Sequence, residues 1–397
     1  MANPQATRER LVEINRRNAA HARNGTIDQV DAVATVPAAN YVDHQRFEAE
    51  VERVFKRLPL LMGLSNELPE PGSYKALHAV DVPVLLIRND EGRVQAFVNS
   101  CRHRGAPVVP DGAGTGRRFT CPYHAWSYDR EGALVGVLDR EQFGEFATEC
   151  HGLVRLPTFE RAGIIWATLT PEPPVDFAPY LAGFDEVIGH LHLDDAHVVG
   201  HTVVAGPNWK VAYDGYMDFY HLPILHKDTF GPNFPNKASY DSWGAHLQVS
   251  APDPRFEKYL DRDASEWPDH TLVNGILTLF PHVSIARFDA GGDTMFMLSQ
   301  LFPGTSVGES VTTQIFALAH EPTDETREAA VGQMAFLEHV VRDEDYATGL
   351  AVQRGLATGA LDHVLFGRNE GGGQGFHRWV DRLVATDDAD VAALFGD

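Results

Sequence analysis

Two short segments each pair a cysteine with a histidine: Cys101-Arg102-His103 and Cys121-Pro122-Tyr123-His124. Two thiolates can hold one iron of a [2Fe–2S] cluster while two imidazoles hold the other, which raises the reduction potential above that of an all-cysteine cluster. The same four side chains could instead make a tetrahedral zinc site. Ligand order argues against zinc, because zinc fingers usually place Cys beside Cys and His beside His, whereas each loop here carries one of each. Gly105, Pro107 and Pro122 are suited to tightening the two loops around a cluster.

A second constellation lies in the stretch from Asn208 to His226, where Asp214, Asp218, His221 and His226 fall close together. On a helix over 208–222, Asp218 and His221 share one face at i, i+3, so the carboxylate can accept from the ring nitrogen that a metal does not use. Pro223 disfavours helical geometry at Leu222 and is expected to break the helix there, redirecting the chain so that both imidazoles reach one ion. Two histidines and one carboxylate with open positions form the facial triad of non-haem Fe(II) oxygenases. The third ligand must come from elsewhere. The acidic run Asp343-Glu344-Asp345 offers three carboxylates, although an acidic run on a helix ordinarily reads as a solvated face.

These residues need rigid elements to place them. Strands are expected at 74–78, 82–88 and 94–99, the last running directly into Cys101, and a hairpin at 126–137 follows the second loop. A helix is expected near residues 45–55, and the apolar run 163–169 reads as the closing strand. The cluster domain is therefore drawn at 45–172, ending at Pro171-Glu172-Pro173-Pro174. An N-terminal helical segment, 1–44, is expected to pack on a second domain, 173–397. There, strand-like segments (197–205, 275–288, 294–302, 311–319) mix with helical ones (208–222, 323–358, 375–385), an α+β composition with an antiparallel sheet. Gly371-Gly372-Gly373 reads as a flexible turn, since no strand feeds it as a phosphate loop would require.

The formal charge of −22 excludes nucleic acid and anionic membrane as natural partners. The N-terminal twenty residues contain no apolar block, so neither a signal peptide nor a membrane span is expected. Of three cysteines only Cys150 stands outside the two loops. That excludes a disulfide framework and points to a reducing cytoplasm.

The motifs together resemble the catalytic (α) component of the Rieske non-haem iron ring-hydroxylating oxygenases. The likeness rests on Cys101, His103, Cys121 and His124, on Asn208-Trp209-Lys210 followed by Asp218, His221 and His226, and on Glu344-Asp345 with Gln353. It implies a Rieske domain followed by a helix-grip (START-like) catalytic domain with a curved antiparallel sheet. It implies one [2Fe–2S] cluster on the first four residues and one mononuclear Fe(II) on His221, His226 and Asp345. It further implies a homotrimer or α3β3 assembly in which Asp218 bridges subunits between His124 of one and His221 of the next. The substrates would be O2 and an aromatic or other apolar small molecule, cis-dihydroxylated, with monohydroxylation or oxidative demethylation as the alternative. No G-x-G-x-x-G joins a strand to a helix, so electrons would come from a separate reductase, with or without a ferredoxin. Where many members carry Glu-Asn after N-W-K, this chain has Tyr213-Asp214, leaving the role of Asp214 open. Arg287 would be a clamp if the substrate were a carboxylate, although an arginine on a strand more often faces solvent. A pure electron carrier remains the reading from another class.

Overall fold

The computed structural model describes residues 4–396, which separate into two compact units. Phe55–Asp176 forms one; the chain through Val54 and again from Phe177 forms the other.

The smaller unit is antiparallel β. Five strands run in the order Arg155–Leu156, Val94–Val98, Val82–Arg88, Ser73–Ala79, Gly112–Thr115. Its central strand carries the continuous apolar run Val84-Leu85-Leu86-Ile87, all buried, as a strand covered on both faces requires. A three-stranded sheet adds Leu60–Leu64, Ile164–Ala167 and Thr158–Arg161. The third, Phe119–Thr120, Ser127–Tyr128 and Leu134–Gly136, flanks the second cysteine loop. Cys101 and Cys121 are part of the apolar core, with Phe97, Phe119, Trp126 and Tyr128.

The larger unit packs helices on a seven-stranded antiparallel sheet, so the α+β class read from the sequence holds. Strands Ile276–Leu279, Val283–Ala290, Asp293–Pro303 and Ser310–Leu318 form a meander, and His197–Gly206 pairs with its last member. The single strand expected over 275–288 is two, divided by a turn around Phe280-Pro281-His282. Ser239–Trp243 and His246–Ser250, hairpinned at Gly244, were not anticipated. The N-terminal helix, Pro4–Asn24, packs on this unit: the buried Asn15 amide donates to the carbonyls of Thr271 and Leu272 at 2.8 and 3.0 Å. No helix among the described residues is long and apolar enough to cross a membrane.

Further expectations need correction. The helix expected to open the cluster domain, His44–Glu50 with a π turn after it, belongs to the larger unit through Val54. Arg46 pairs with Asp381 at 2.6 Å and Arg53 donates to the Val384 carbonyl at 2.8 Å, both on the helix Gly371–Ala385. The expected helix over 208–222 stops at Met217, and Asp218 is extended at φ −98°. Pro223 therefore breaks nothing and instead sits in the first turn of a new short helix, Leu222–Leu225, where its missing N–H costs no bond. Finally, the Gly371-Gly372-Gly373 run is helical. A Cβ on Gly372 would lie 2.5 Å from the Tyr240 ring, and one on Gly373 2.5 Å from Phe366, so close packing rather than flexibility requires these glycines.

Candidate metal centres

In the smaller unit the two cysteine loops are copies of one backbone device. The Cys101 N–H donates to the Ala106 carbonyl and Gly105 N–H returns to the Cys101 carbonyl, both at 2.8 Å. In the second loop Cys121 N–H donates to Trp126 and Ala125 N–H returns to Cys121, at 2.8 and 3.0 Å. The residue four after each cysteine is left-handed: Gly105 at φ +79°, where a glycine is natural, and Ala125 at φ +57°, where the loop imposes strain on a residue with a Cβ. Both thiols are buried; the Cys121 thiol is pushed above its usual range by burial and by the neighbouring Cys101. The His103 and His124 rings lie 4.6 Å apart, and His103 stacks on Trp126 at 5.0 Å. His103 Nδ1 is buried with no hydrogen-bond partner, an orphan that a metal bond would satisfy. Tyr128, unnoticed in the sequence, accepts from the Arg102 N–H at 2.9 Å and sets its hydroxyl 3.3 Å from Cys101 Sγ. The donor set therefore suits a [2Fe–2S] cluster.

The second centre begins with Asn208, which caps the helix Trp209–Met217 by accepting from the Lys210 N–H, while its amide holds the Val307 carbonyl at 2.7 Å. Trp209 and Lys210 both anchor on Glu50, which is wholly buried and also takes Arg46 at 2.7 Å. The helix turns Ala212, Gly215 and Tyr216 toward a cavity. Its far side carries Asp214, whose carboxylate meets His377 at 3.0 Å and the Tyr41 hydroxyl at 2.9 Å. Asp214, earlier left open, is thus engaged by a buried network and does not line the cavity.

Past Met217 the chain bends. Asp218 accepts from the Tyr220 N–H and, through Oδ2, from His221 Nδ1 at 3.1 Å. The i, i+3 contact expected of a helix is made by a turn. His226 Nδ1 donates to Glu344 at 2.6 Å, and Thr229 steadies that carboxylate at 2.9 Å. With both Nδ1 protons committed to carboxylates, the two Nε2 lone pairs face one another at 3.2 Å. Asp345 adds an oxygen 3.1 Å from His226 Nε2 and 3.6 Å from His221 Nε2. One atom from each of His221, His226 and Asp345 lies within 4.8 Å of the others. Three convergent acceptors repel one another unless a cation sits among them, so the donor chemistry fits a mononuclear metal.

The acidic run resolves into three tasks. Val340–Tyr346 is a π-helical insert between helices Asp324–His339 and Ala347–Ala357, where one unbroken helix was expected. Such inserts widen the turn and are frequent at functional sites. Asp343 turns out to pair with Arg342 and His339, whereas Glu344 and Asp345 address opposite nitrogens of the same His226 ring. Burial alone would lower the pKa of that imidazole, but the two carboxylates outweigh it and hold the pKa above the ordinary histidine value. Gln353 of the same motif accepts from the Asn208 N–H at 3.3 Å, tying the two ligand-bearing segments together. The cavity, about 940 Å³, is lined by His221, His226 and Asp345 together with largely apolar side chains including Phe230, Met297 and Val340. Arg287 also lines it.

Two family models match the chain: the Rieske [2Fe-2S] domain over 59–158 and the ring hydroxylating alpha subunit (catalytic domain) over 193–386. The chain belongs to the ring-hydroxylating oxygenase alpha subunits. This family's cofactors are a Rieske cluster and a mononuclear non-haem iron. Among curated relatives of this alpha subunit, the glycine betaine monooxygenase oxygenase subunit of Chromohalobacter salexigens is 28% identical over 213 residues, 53% of this chain and 47% of the relative. The chain thus spans about half the length of that relative. Putrescine 2-hydroxylase of Bordetella bronchiseptica is 27% identical over 89% of this chain and 86% of its own. The naphthalene 1,2-dioxygenase structure from Rhodococcus sp. shares the fold at a TM-score of 0.76 and 20% identity, covering 89% of this chain and 95% of that one.

Proposed function

We propose that this chain is the terminal oxygenase component of a multicomponent system, using O2 and electrons from a separate reductase or ferredoxin to hydroxylate an aromatic or other apolar small molecule. The observation that carries this reading is the convergence of His221, His226 and Asp345 in an apolar cavity of a chain that also bears a two-cysteine, two-histidine cluster cage. Cys101, Cys121, His103 and His124 would hold the cluster, and His221, His226 and Asp345 the iron. The iron, when bound, supplies open positions at which O2 is activated with electrons stored one at a time by the cluster.

The chain's own residues do the rest. Asp218 and Glu344 fix the tautomers and orientation of the two imidazoles, so each presents Nε2 to the metal. Phe230, Met297 and Val340 provide dry walls that keep water from the reacting face. Asp218, with Oδ2 on His221, is the residue we assign to receive electrons from His124 of a neighbouring subunit in a trimer. The names of the two relatives, a monooxygenase and a hydroxylase, favour a second outcome, insertion of one oxygen atom rather than two. Product analysis with labelled O2 separates the outcomes: two labelled oxygens in a cis-diol mark dioxygenation, and one marks monooxygenation.

Iron content tests the common reading. The loaded protein should hold about three irons per chain. His221→Ala should lose one of them and all turnover while the visible absorption of the cluster persists. A fully loaded chain with only two irons, unaffected by His221→Ala, would identify an electron carrier.

A further inference from the structure

Most charged side chains around the cavity already have partners. Asp253 accepts from Arg255 with both oxygens, Oδ1 at 3.0 Å and Oδ2 at 2.7 Å, and Asp293 takes His320 at 2.7 Å. Arg287, on the strand Val283–Ala290, is different. It is half-buried in the cavity wall, and among the described residues its side chain donates from Nη2 to the Val273 carbonyl. No carboxylate among the described residues forms an ion pair with it, and the charged neighbour acting on it is Arg255, of like sign. Burial and that neighbour lower its pKa from the usual guanidinium value, the direction expected of a charge without a counterion. Asp289, two residues on, is exposed and receives the Gly292 N–H.

Burying a guanidinium, even in part, is unfavourable unless an anion completes its hydrogen bonds. Here the planar fork is left with N–H groups to spare, and its bidentate geometry matches a carboxylate. We propose that Arg287 clamps the carboxylate of the substrate, so the cavity selects organic acids whose apolar body lies against Phe230, Met297 and Val340. This rests on the reading of the cavity as the substrate chamber of an oxygenase. Arg255 in the same wall is already held by Asp253, so a ligand lacking an acid group would leave Arg287 without a counterion.

The test is equilibrium binding to the metal-loaded protein, using a panel of aromatic and aliphatic monocarboxylates, each beside its neutral amide, with benzyltrimethylammonium as the cationic probe. At least one carboxylate should bind about 10- to 100-fold tighter than its amide, as a charge-assisted bidentate pair implies. Arg287→Gln should abolish that preference with iron content and cluster absorption retained; Arg287→Lys should keep part of it, showing that the loss follows charge rather than misfolding. A metal-loaded protein that binds no carboxylate better than its amide, or prefers benzyltrimethylammonium, overturns the clamp while leaving the oxygenase reading intact. Equal carboxylate binding by Arg287→Gln also overturns it. Failure of the wild type to load the third iron would instead overturn the oxygenase reading.

Discussion

The two metal centres of this chain are built by opposite means. The cluster cage is made by backbone: two loops repeat the same pair of main-chain hydrogen bonds and the same left-handed residue, and the ligands follow from where those loops point. The mononuclear centre is made by side chains. His226 is gripped by carboxylates more than a hundred residues away in sequence, and the helix leading toward the site is moored on Glu50, a buried acid that satisfies Trp209, Lys210 and Arg46 at once. In the backbone cage uncharged side chains only brace the loops, Tyr128 at the Arg102 N–H and Asn99 at the Val108 and Val109 N–H groups, so the cage depends little on single charges. A side-chain cage is sensitive to single charges, and it can be retuned by them.

The largest difference should appear at Glu50. Glu50→Gln leaves Lys210 and Arg46 without their buried counterion, and breaking a buried pair in this way costs about 3–5 kcal/mol. Burial already pushes the Lys210 ammonium below its usual range, with Glu50 opposing, so the variant's lysine should give up its proton readily. Urea unfolding followed by tryptophan fluorescence and by cluster absorption should show the larger unit unfolding earlier while the cluster transition holds. An equal fall in both transitions would erase the proposed distinction between the centres.

That contrast also explains what the sequence disclosed. The cluster ligands and their strands were readable because a backbone device is contiguous: Cys101 to His103 and Cys121 to His124 are each one short motif. His221 and His226 were readable as a pair, yet the helix end at Met217 was misplaced, because propensity favoured continuing a helix that Asp218 terminates by capping the Tyr220 N–H. Asp345 was separable from Asp343 and Glu344 only by family resemblance. The π insert that assigns each its partner is a tertiary outcome with no periodic signature in the run itself. Glu344 and Tyr128 went unassigned for the same reason, since each acts through a residue distant in sequence.

A middle-sized effect is expected at Glu344. Glu344→Gln keeps an acceptor near His226 Nδ1 but removes the charge that makes the imidazole a stronger ligand. Loss of such an orienting carboxylate typically weakens metal affinity by about 10- to 100-fold. Titration of metal-depleted protein with Fe(II) should show weaker binding at the mononuclear site, with cluster content unaltered. Unchanged affinity would mean that Thr229 and the surrounding fold, not Glu344, orient the ring.

The smallest effect should arise where a side chain touches the backbone cage. The Tyr128 hydroxyl lies 3.3 Å from Cys101 Sγ, and a hydrogen bond to a cluster sulfur favours the reduced, more negative state. Tyr128→Phe removes that bond and the acceptor of the Arg102 N–H, while the Cys101 and Cys121 loops keep their main-chain pairing, so the cluster should still assemble. A hydrogen bond of about 0.5–1.5 kcal/mol corresponds to a potential lowered by roughly 20–60 mV for one electron. Redox titration of the cluster would measure it. If Tyr128→Phe instead prevented assembly, the cage would depend on a single side chain after all, and the two centres would differ in degree rather than in kind.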